Sequence, residues 1–328
     1  MDNLFVLNSP LQYLNALEAI NLFKSKNNIL LLKNSGSQLN QSQIKKLHER
    51  FGSVFKEIHE VTSQNGLLYN IHPNTTKLLN SLNNINYLFS GSIGESLNNY
   101  VINDIRPNKV FYLDDGTKTI KFAEKEKLNR LKNWLKFYLG SKAYMNHLNI
   151  NYFTAYYQID WPENYIVIPN KYNYMISHVR KDFTKEDSCY FILSPVVEKS
   201  LISAALFSNY ANNIIKYYNG NVKFILHRYS DVKLMNSLIN VDNKNIIGFD
   251  NIIEYEMIYQ KKYPTKIASF ISSALINLSF IFLDSDFTCF TLPNKSINKT
   301  ESNQFNMYYE LLRANDVKIV EYETLDIE

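Results

Sequence analysis

A chain of 328 residues, 45% hydrophobic and 20% charged, has the length for two domains that each bury a core. Its 35 Lys and Arg against 31 Asp and Glu leave a formal charge of +4 with no dense basic run, which excludes nucleic acid as an expected partner. The two cysteines, Cys189 and Cys289, sit inside apolar runs without metal-ligand spacing, as buried thiols of a reducing compartment do.

The first apolar segment, Asn3–Leu7, reads as a buried strand. Asn8-Ser9-Pro10 then opens a helix from Leu11 to about Phe23, with proline in the first turn. Ile29–Leu32 is a second strand, Gln41–Phe51 a helix, and Val54–Val61 alternates as a strand. A polar helix near Thr76–Leu82, a strand Asn86–Phe89, a helix to about Ile102 and a strand Lys109–Leu113 follow. The spacing predicts a helix over Lys118–Tyr138, then strands at Tyr152–Ile159 and Tyr165–Ile168. The polar stretch Asn170–Asp187 carries the domain join, giving domains 1–170 and 171–328.

A second series starts at the strand Cys189–Leu193. A helix Val196–Tyr218, a strand Val222–Leu226, a helix Asp231–Ile239, a strand Asn245–Gly248 and a helix Asn251–Gln260 come next. Then come a strand Lys266–Phe270, a helix Ser273–Asn277, a strand Phe280–Leu283, a helix Gln304–Ala314 and a strand Val317–Tyr322. This βα rhythm is that of parallel sheets with helices on both faces. Two such Rossmann-like domains in series, facing across a cleft, make GT-B the expected α/β architecture. The first apolar segment has no basic region before it and no apolar stretch reaches the length of a span. The expected location is therefore the cytoplasm, with at most peripheral contact at the inner face of the membrane.

Three strand ends carry the candidate chemistry. The strand Lys109–Leu113 delivers Asp114-Asp115-Gly116. One such carboxylate can take the proton of an acceptor hydroxyl, and adjacent acids raise each other's proton affinity; a turn or helix cap is the bland alternative. The strand Val222–Leu226 leads into His227-Arg228, able to hold and protonate a leaving phosphate. Ser272-Ser273 opens a helix, where backbone N–H groups and two hydroxyls bind anions without a glycine-rich loop. No phosphate-loop or dinucleotide fingerprint is present, which argues against a kinase or dehydrogenase. The only Asp-x-Asp, Asp284-Ser285-Asp286, comes late and after a strand, so a metal-dependent GT-A enzyme is not expected, and neither is a metal or other cofactor.

The order Leu-Asp-Asp-Gly-Thr, a strand ending in His-Arg, Ile-Ile-Glu-Tyr and Ser-Ser-Ala-Leu resembles the bacterial lipooligosaccharide sialyltransferases, glycosyltransferase family fifty-two, and their capsule relatives. The opening Asn-Ser-Pro-Leu-Gln-Tyr is similar to the start of that family. The resemblance implies a GT-B fold and an inverting, metal-independent transfer of N-acetylneuraminic acid from CMP-sialic acid to a terminal galactose of a surface glycan. It places Asp114 or Asp115 near the acceptor, with Ser9, Gln12 and Gly116 on the same side. His227 falls at the CMP phosphate with Arg228 beside it, Glu254 near the cytidine or ribose, and Ser272 and Ser273 on the phosphate or the sialyl carboxylate. The chain departs from the family at His227-Arg228, where those enzymes carry His-Pro. Asp160 remains an alternative base. Another nucleotide-sugar donor, such as a UDP-hexose, and a non-catalytic glycan-binding or capsule-assembly protein are the competing readings.

Overall fold

The computed structural model describes residues 1–34, 37–62, 73–82, 84–92, 96–128, 150–163, 165–179, 182–228, 230–241, 245–293 and 299–321. The part of the expected helix Lys118–Tyr138 beyond Leu128 lies outside them. The chain divides into two compact units, Met1–Tyr174 and Met175–Glu328.

The first unit holds β1 (Asp2–Leu7), β2 (Asn28–Asn34), β3 (Phe55–Thr62), β4 (Ile85–Ser90), β5 (Lys109–Leu113), β6 (Ile150–Thr154) and β7 (Tyr165–Pro169). They form one sheet in the order β3-β2-β1-β4-β5-β6-β7, parallel at every pairing. In β1, Asn3–Leu7 are all buried, which requires cover on both faces and explains an apolar run without alternation. One face is a row of rings. Phe5 stacks on Phe89 at 4.5 Å, Phe89 on Phe111 at 5.1 Å, and Phe23 of the first helix packs against Phe111 at 4.8 Å. Leu4, Val6, Leu88, Val110, Tyr112 and Tyr152 belong to the core of the opposite face.

The second unit holds β8 (Thr184–Ile192), β9 (Val222–Ile225), β10 (Ile246–Ile247), β11 (Lys262–Ser269), β12 (Asp286–Phe290) and β13 (Lys318–Val320), parallel in the order β10-β9-β8-β11-β12-β13. Phe191, Phe224, Phe270 and Phe290 stand at its centre, with Phe191 5.0 Å from Phe270 and 5.6 Å from Phe224. Both sheets therefore follow the doubly wound order 3-2-1-4-5-6, the first with one strand added, and two such units are the components of a GT-B chain. In this order, ligands bind outside the carboxyl ends of the strands where the winding reverses. That point falls between β1 and β4 in the first unit and between β8 and β11 in the second.

Three expected elements differ. Phe280 and Ile281 continue the helix Ser273–Ile281, and the strand that follows is β12, around Cys289. The helix is apolar on nearly every side, so its residues carry no period that separates helix from strand. The helix expected from Val196 starts at Ala204. There the Ser203 hydroxyl accepts the Leu206 N–H at 3.2 Å, and the residues before it form turns that include Ser200 at φ 56°. The strand expected to reach Ile159 stops at Thr154 because side-chain oxygens take the next N–H groups. Asp114 accepts from Ala155 at 2.7 Å and Thr154 Oγ1 from Tyr156 at 2.9 Å.

Candidate functional site

In the first unit, β5 ends in two carboxylates with opposite surroundings. Asp114 is 1% exposed, and its Oδ2 accepts the Ala155 N–H, fastening β5 to β6. Its backbone carbonyl accepts from Asn15 Nδ2 at 3.2 Å. Burial pushes its carboxyl up to about 7, against the pull of the Thr154 and Thr119 hydroxyls and the Ala155 N–H, while the charge of Asp115 adds to the rise. Oδ1 lies buried without a hydrogen bond of good geometry, although those two hydroxyls lie near enough to favour its charge. Asp115 is 22% exposed and pairs with Lys118 Nζ at 2.7 Å. Gly116, at φ 65°, takes the left-handed turn that lets the helix Lys118–Leu128 begin five residues after the end of β5. Adjacent in sequence, the two acids divide into an inward tie and an outward group.

The reversal point of this unit is closed by a side chain. Ser9 caps the helix Pro10–Phe23 by accepting the Gln12 N–H at 3.3 Å. Gln12, fully buried, accepts the Asn8 N–H at 2.8 Å and donates to Ser92 Oγ at 3.1 Å. It lies so close over Gly91 that a Cβ there would meet its Oε1 at 2.1 Å. The absence of a side chain at position 91 is what leaves room for Gln12.

Ser9 and Gln12 begin a stripe with a spacing of three, continued by Asn15 and Glu18, and all four are buried. Asn15 Oδ1 accepts from Asn170 Nδ2 at 3.1 Å and from the Tyr172 hydroxyl at 3.0 Å. Glu18 Oε2 accepts the Tyr174 N–H at 2.8 Å. The stripe was visible in the sequence as polar residues recurring every third position of an apolar helix, yet Asn170, Tyr172 and Tyr174, which meet Asn15 and Glu18, lie some hundred and fifty residues away.

In the second unit, β9 leads into His227 and Arg228. Burial holds His227 down to about 4, helped by the charges of Arg228 and Lys199, so the imidazole is neutral at neutral pH. Ser272 caps the helix Ser273–Ile281 by accepting the Ala274 N–H at 3.3 Å. Its own N–H donates to the Tyr308 hydroxyl at 3.0 Å, and that hydroxyl donates back to the Ser272 carbonyl at 2.7 Å. Ser272 is thus consumed in holding the turn, whereas the half-buried Ser273 hydroxyl has no partner among the described residues. Ser194, after β8, donates to the Ile271 carbonyl at 2.6 Å and pins the two sides of the reversal point together. Lys199, Ser194 and Tyr308 were not singled out from sequence; each takes its place through the strand order, which no local pattern discloses.

Glu254, in the first turn of the helix Ile253–Gln260, is 3% exposed and accepts from Asn277 Nδ2 at 2.7 Å. Burial raises its proton affinity, opposed by Asn277, its own backbone and the charge of Arg228. That hydrogen bond ties two helices together. Among the described residues no three His, Cys, Asp or Glu side chains gather to hold a metal, and no helix is long and apolar enough to cross a membrane. Two cavities, of about 470 Å3 and 410 Å3, lie away from these strand ends.

The units are those of a two-part, doubly wound α/β protein, with an anion-compatible reversal point in the second and an acidic strand end in the first. No protein-family model matches the chain, and no curated protein matches it by sequence. Among solved structures, it is similar to the Escherichia coli heptosyltransferase WaaC with ADP, at 9% identity and a TM-score of 0.44 over 96% of this chain and 99% of that one. It is also similar to a glycosyltransferase from Rickettsia africae, at 11% identity and a TM-score of 0.44 over 96% and 92% of the two chains.

Proposed function

We propose that the chain is a glycosyltransferase that moves N-acetylneuraminic acid from CMP-sialic acid to a terminal galactose of a bacterial surface glycan. It works by inversion, without a metal, on the cytoplasmic side of the membrane. The observation that carries the reading is the contrast between the two reversal points. The first is filled by Gln12 over Gly91. The second presents the Ser273 hydroxyl at a helix N-terminus, and the adjoining strand end brings His227 under the charges of Arg228 and Lys199. An anionic leaving group therefore belongs to the second unit and the proton acceptor to the first.

In this reading the acceptor hydroxyl gives its proton to the Asp115 carboxylate while its oxygen bonds to the anomeric carbon. The bond from that carbon to the phosphate oxygen breaks, and CMP leaves with the electron pair. Asp115 has the exposure that a base needs, and it pairs with Lys118 at its open side. Asp114, buried and tied to Ala155, positions the strand end. Ser273, Arg228 and a neutral His227 that gains a proton beside the phosphate would stabilise the leaving group. Ser9, Gln12 and Gly116 support the acceptor side through the backbone they fix.

A second reading, transfer from a nucleoside-diphosphate sugar, is favoured by Arg228, which adds a cation where the resembling family has proline and suits two phosphates better than one. Thermal unfolding with CMP, UDP, ADP and GDP separates the two, since a ligand at a hundred times its Kd stabilises by roughly 2.7 kcal/mol. Protection by CMP alone is expected. Protection by UDP or ADP but not CMP would move the donor to the second reading. Protection by none would leave a glycan-binding protein.

A further inference from the structure

The 470 Å3 cavity lies in the second unit at the amino ends of β12 and β13, where Asp286 and Lys318 start those strands. The candidate nucleotide site lies at the carboxyl ends. At about 3.3 Å per residue, the five residues of β12 put the cavity on the order of 16 Å from that edge. It is a separate place on the same unit.

The lining is balanced in charge: Lys266 and Lys318 stand against Asp286 and Asp316, with Asn315, Ser279 and Thr288 adding neutral polar groups. Neither carboxylate is engaged in an ion pair among the described residues. A lining without net charge does not select an ion, and one this rich in polar groups does not select an apolar ligand. Beside it stands an aromatic ring held in one orientation. Tyr217 is 38% exposed, meets Tyr218 edge-on at 4.9 Å and Phe290 at 5.4 Å, and its hydroxyl accepts from Lys318 Nζ at 2.7 Å. A fixed ring offers contact area at little entropic cost, and carboxylates with an amide beside it bind vicinal hydroxyls.

We infer that this cavity is a second carbohydrate site, one that takes a neutral sugar ring of a glycan and is distinct from the transfer site. Its role is retention: a glycan held at two places on one protein dissociates more slowly than from either alone. The inference does not rest on the donor chemistry, because it is read by binding and not by turnover.

The test is a titration of the full chain with lactose and with maltotriose by saturation-transfer NMR, with and without saturating CMP. It is repeated in the double variant Asp286→Ala/Asp316→Gly. Both carboxylates are exposed, and glycine keeps the left-handed turn at position 316, where φ is 58°, so the variant retains its fold. The inference expects at least one saccharide to bind, unchanged by CMP and weakened about tenfold or more in the variant. Binding that the variant leaves intact, binding that CMP abolishes, or no binding of either saccharide overturns it. A second variant, Lys318→Ala, should also weaken binding, since it frees the ring that Lys318 holds; unaltered affinity there counts against the platform.

Discussion

Asp114→Asn separates the inward carboxylate from the outward one by stability alone. The native carboxyl is raised from 3.8 to about 7 by burial. A group raised in the folded state binds more protons folded than unfolded between those two values. Its contribution to stability is therefore fully present at acid pH and lost as pH rises through about 7. About three pH units at roughly 1.36 kcal/mol each bound the effect on the order of 4 kcal/mol. Asparagine keeps an oxygen for the Ala155 N–H and does not ionise. Trp161 belongs to the first unit and no tryptophan falls within Met175–Glu328, so urea unfolding followed by tryptophan fluorescence does not report the second unit. Between pH 4.5 and 8, roughly the window set by these values, the variant should gain stability relative to the parent by roughly 2–4 kcal/mol. A parallel pH dependence in the two proteins would show that Asp114 is not a buried, protonation-sensitive tie, and the assignment of Asp115 as the exposed partner would lose its basis.

Asp115→Asn should lower turnover by about 10²–10⁴-fold, as loss of a general base does, with CMP affinity unchanged by calorimetry; a loss below tenfold returns the role to Asp160 or another acid. CMP binding should strengthen as pH falls from 7 towards 5, because a phosphate restores the proton affinity that burial, Arg228 and Lys199 take from His227. A CMP affinity with no such dependence, or the same dependence in His227→Ala, removes the histidine from the site. Ser273→Ala should weaken CMP binding more than Ser272→Ala, whose hydroxyl is committed to the Ala274 N–H; the reverse order would show that the cap itself touches the ligand. Gly91→Ala should destabilise the first unit by about 2–4 kcal/mol, through the two hydrogen bonds of the buried Gln12 side chain that the new methyl displaces, as read by the same fluorescence melts.

The α/β rhythm and most strands were legible because parallel strands buried on both faces leave plain apolar runs, as in Asn3–Leu7 and Lys109–Leu113. The helix Ser273–Ile281 was not, since burial on all sides erases the period that marks a helix. At the candidate site, the sequence put Asp114, Asp115 and His227 just past strand ends, and the strands β5 and β9 do end before them. Their division of labour was hidden. Whether a carboxylate faces Ala155 or Lys118 depends on β6, forty residues on, and nothing local to Asp-Asp-Gly encodes it. Gln12 likewise read as a site residue by resemblance, while its contact with Gly91 depends on which strand lies beside β1.

The ties from Asn15 to Asn170 and Tyr172 span 155 and 157 residues of sequence. On a ribosome, the first helix is made long before the segment that satisfies its buried amide. At about 5–20 residues per second, that wait is on the order of ten to thirty seconds. During it the helix carries polar side chains suited to an interior that does not yet exist. The nascent first unit should therefore stay open, and accessible to chaperones, until Tyr174 has cleared the exit tunnel, and it should then close in one late step.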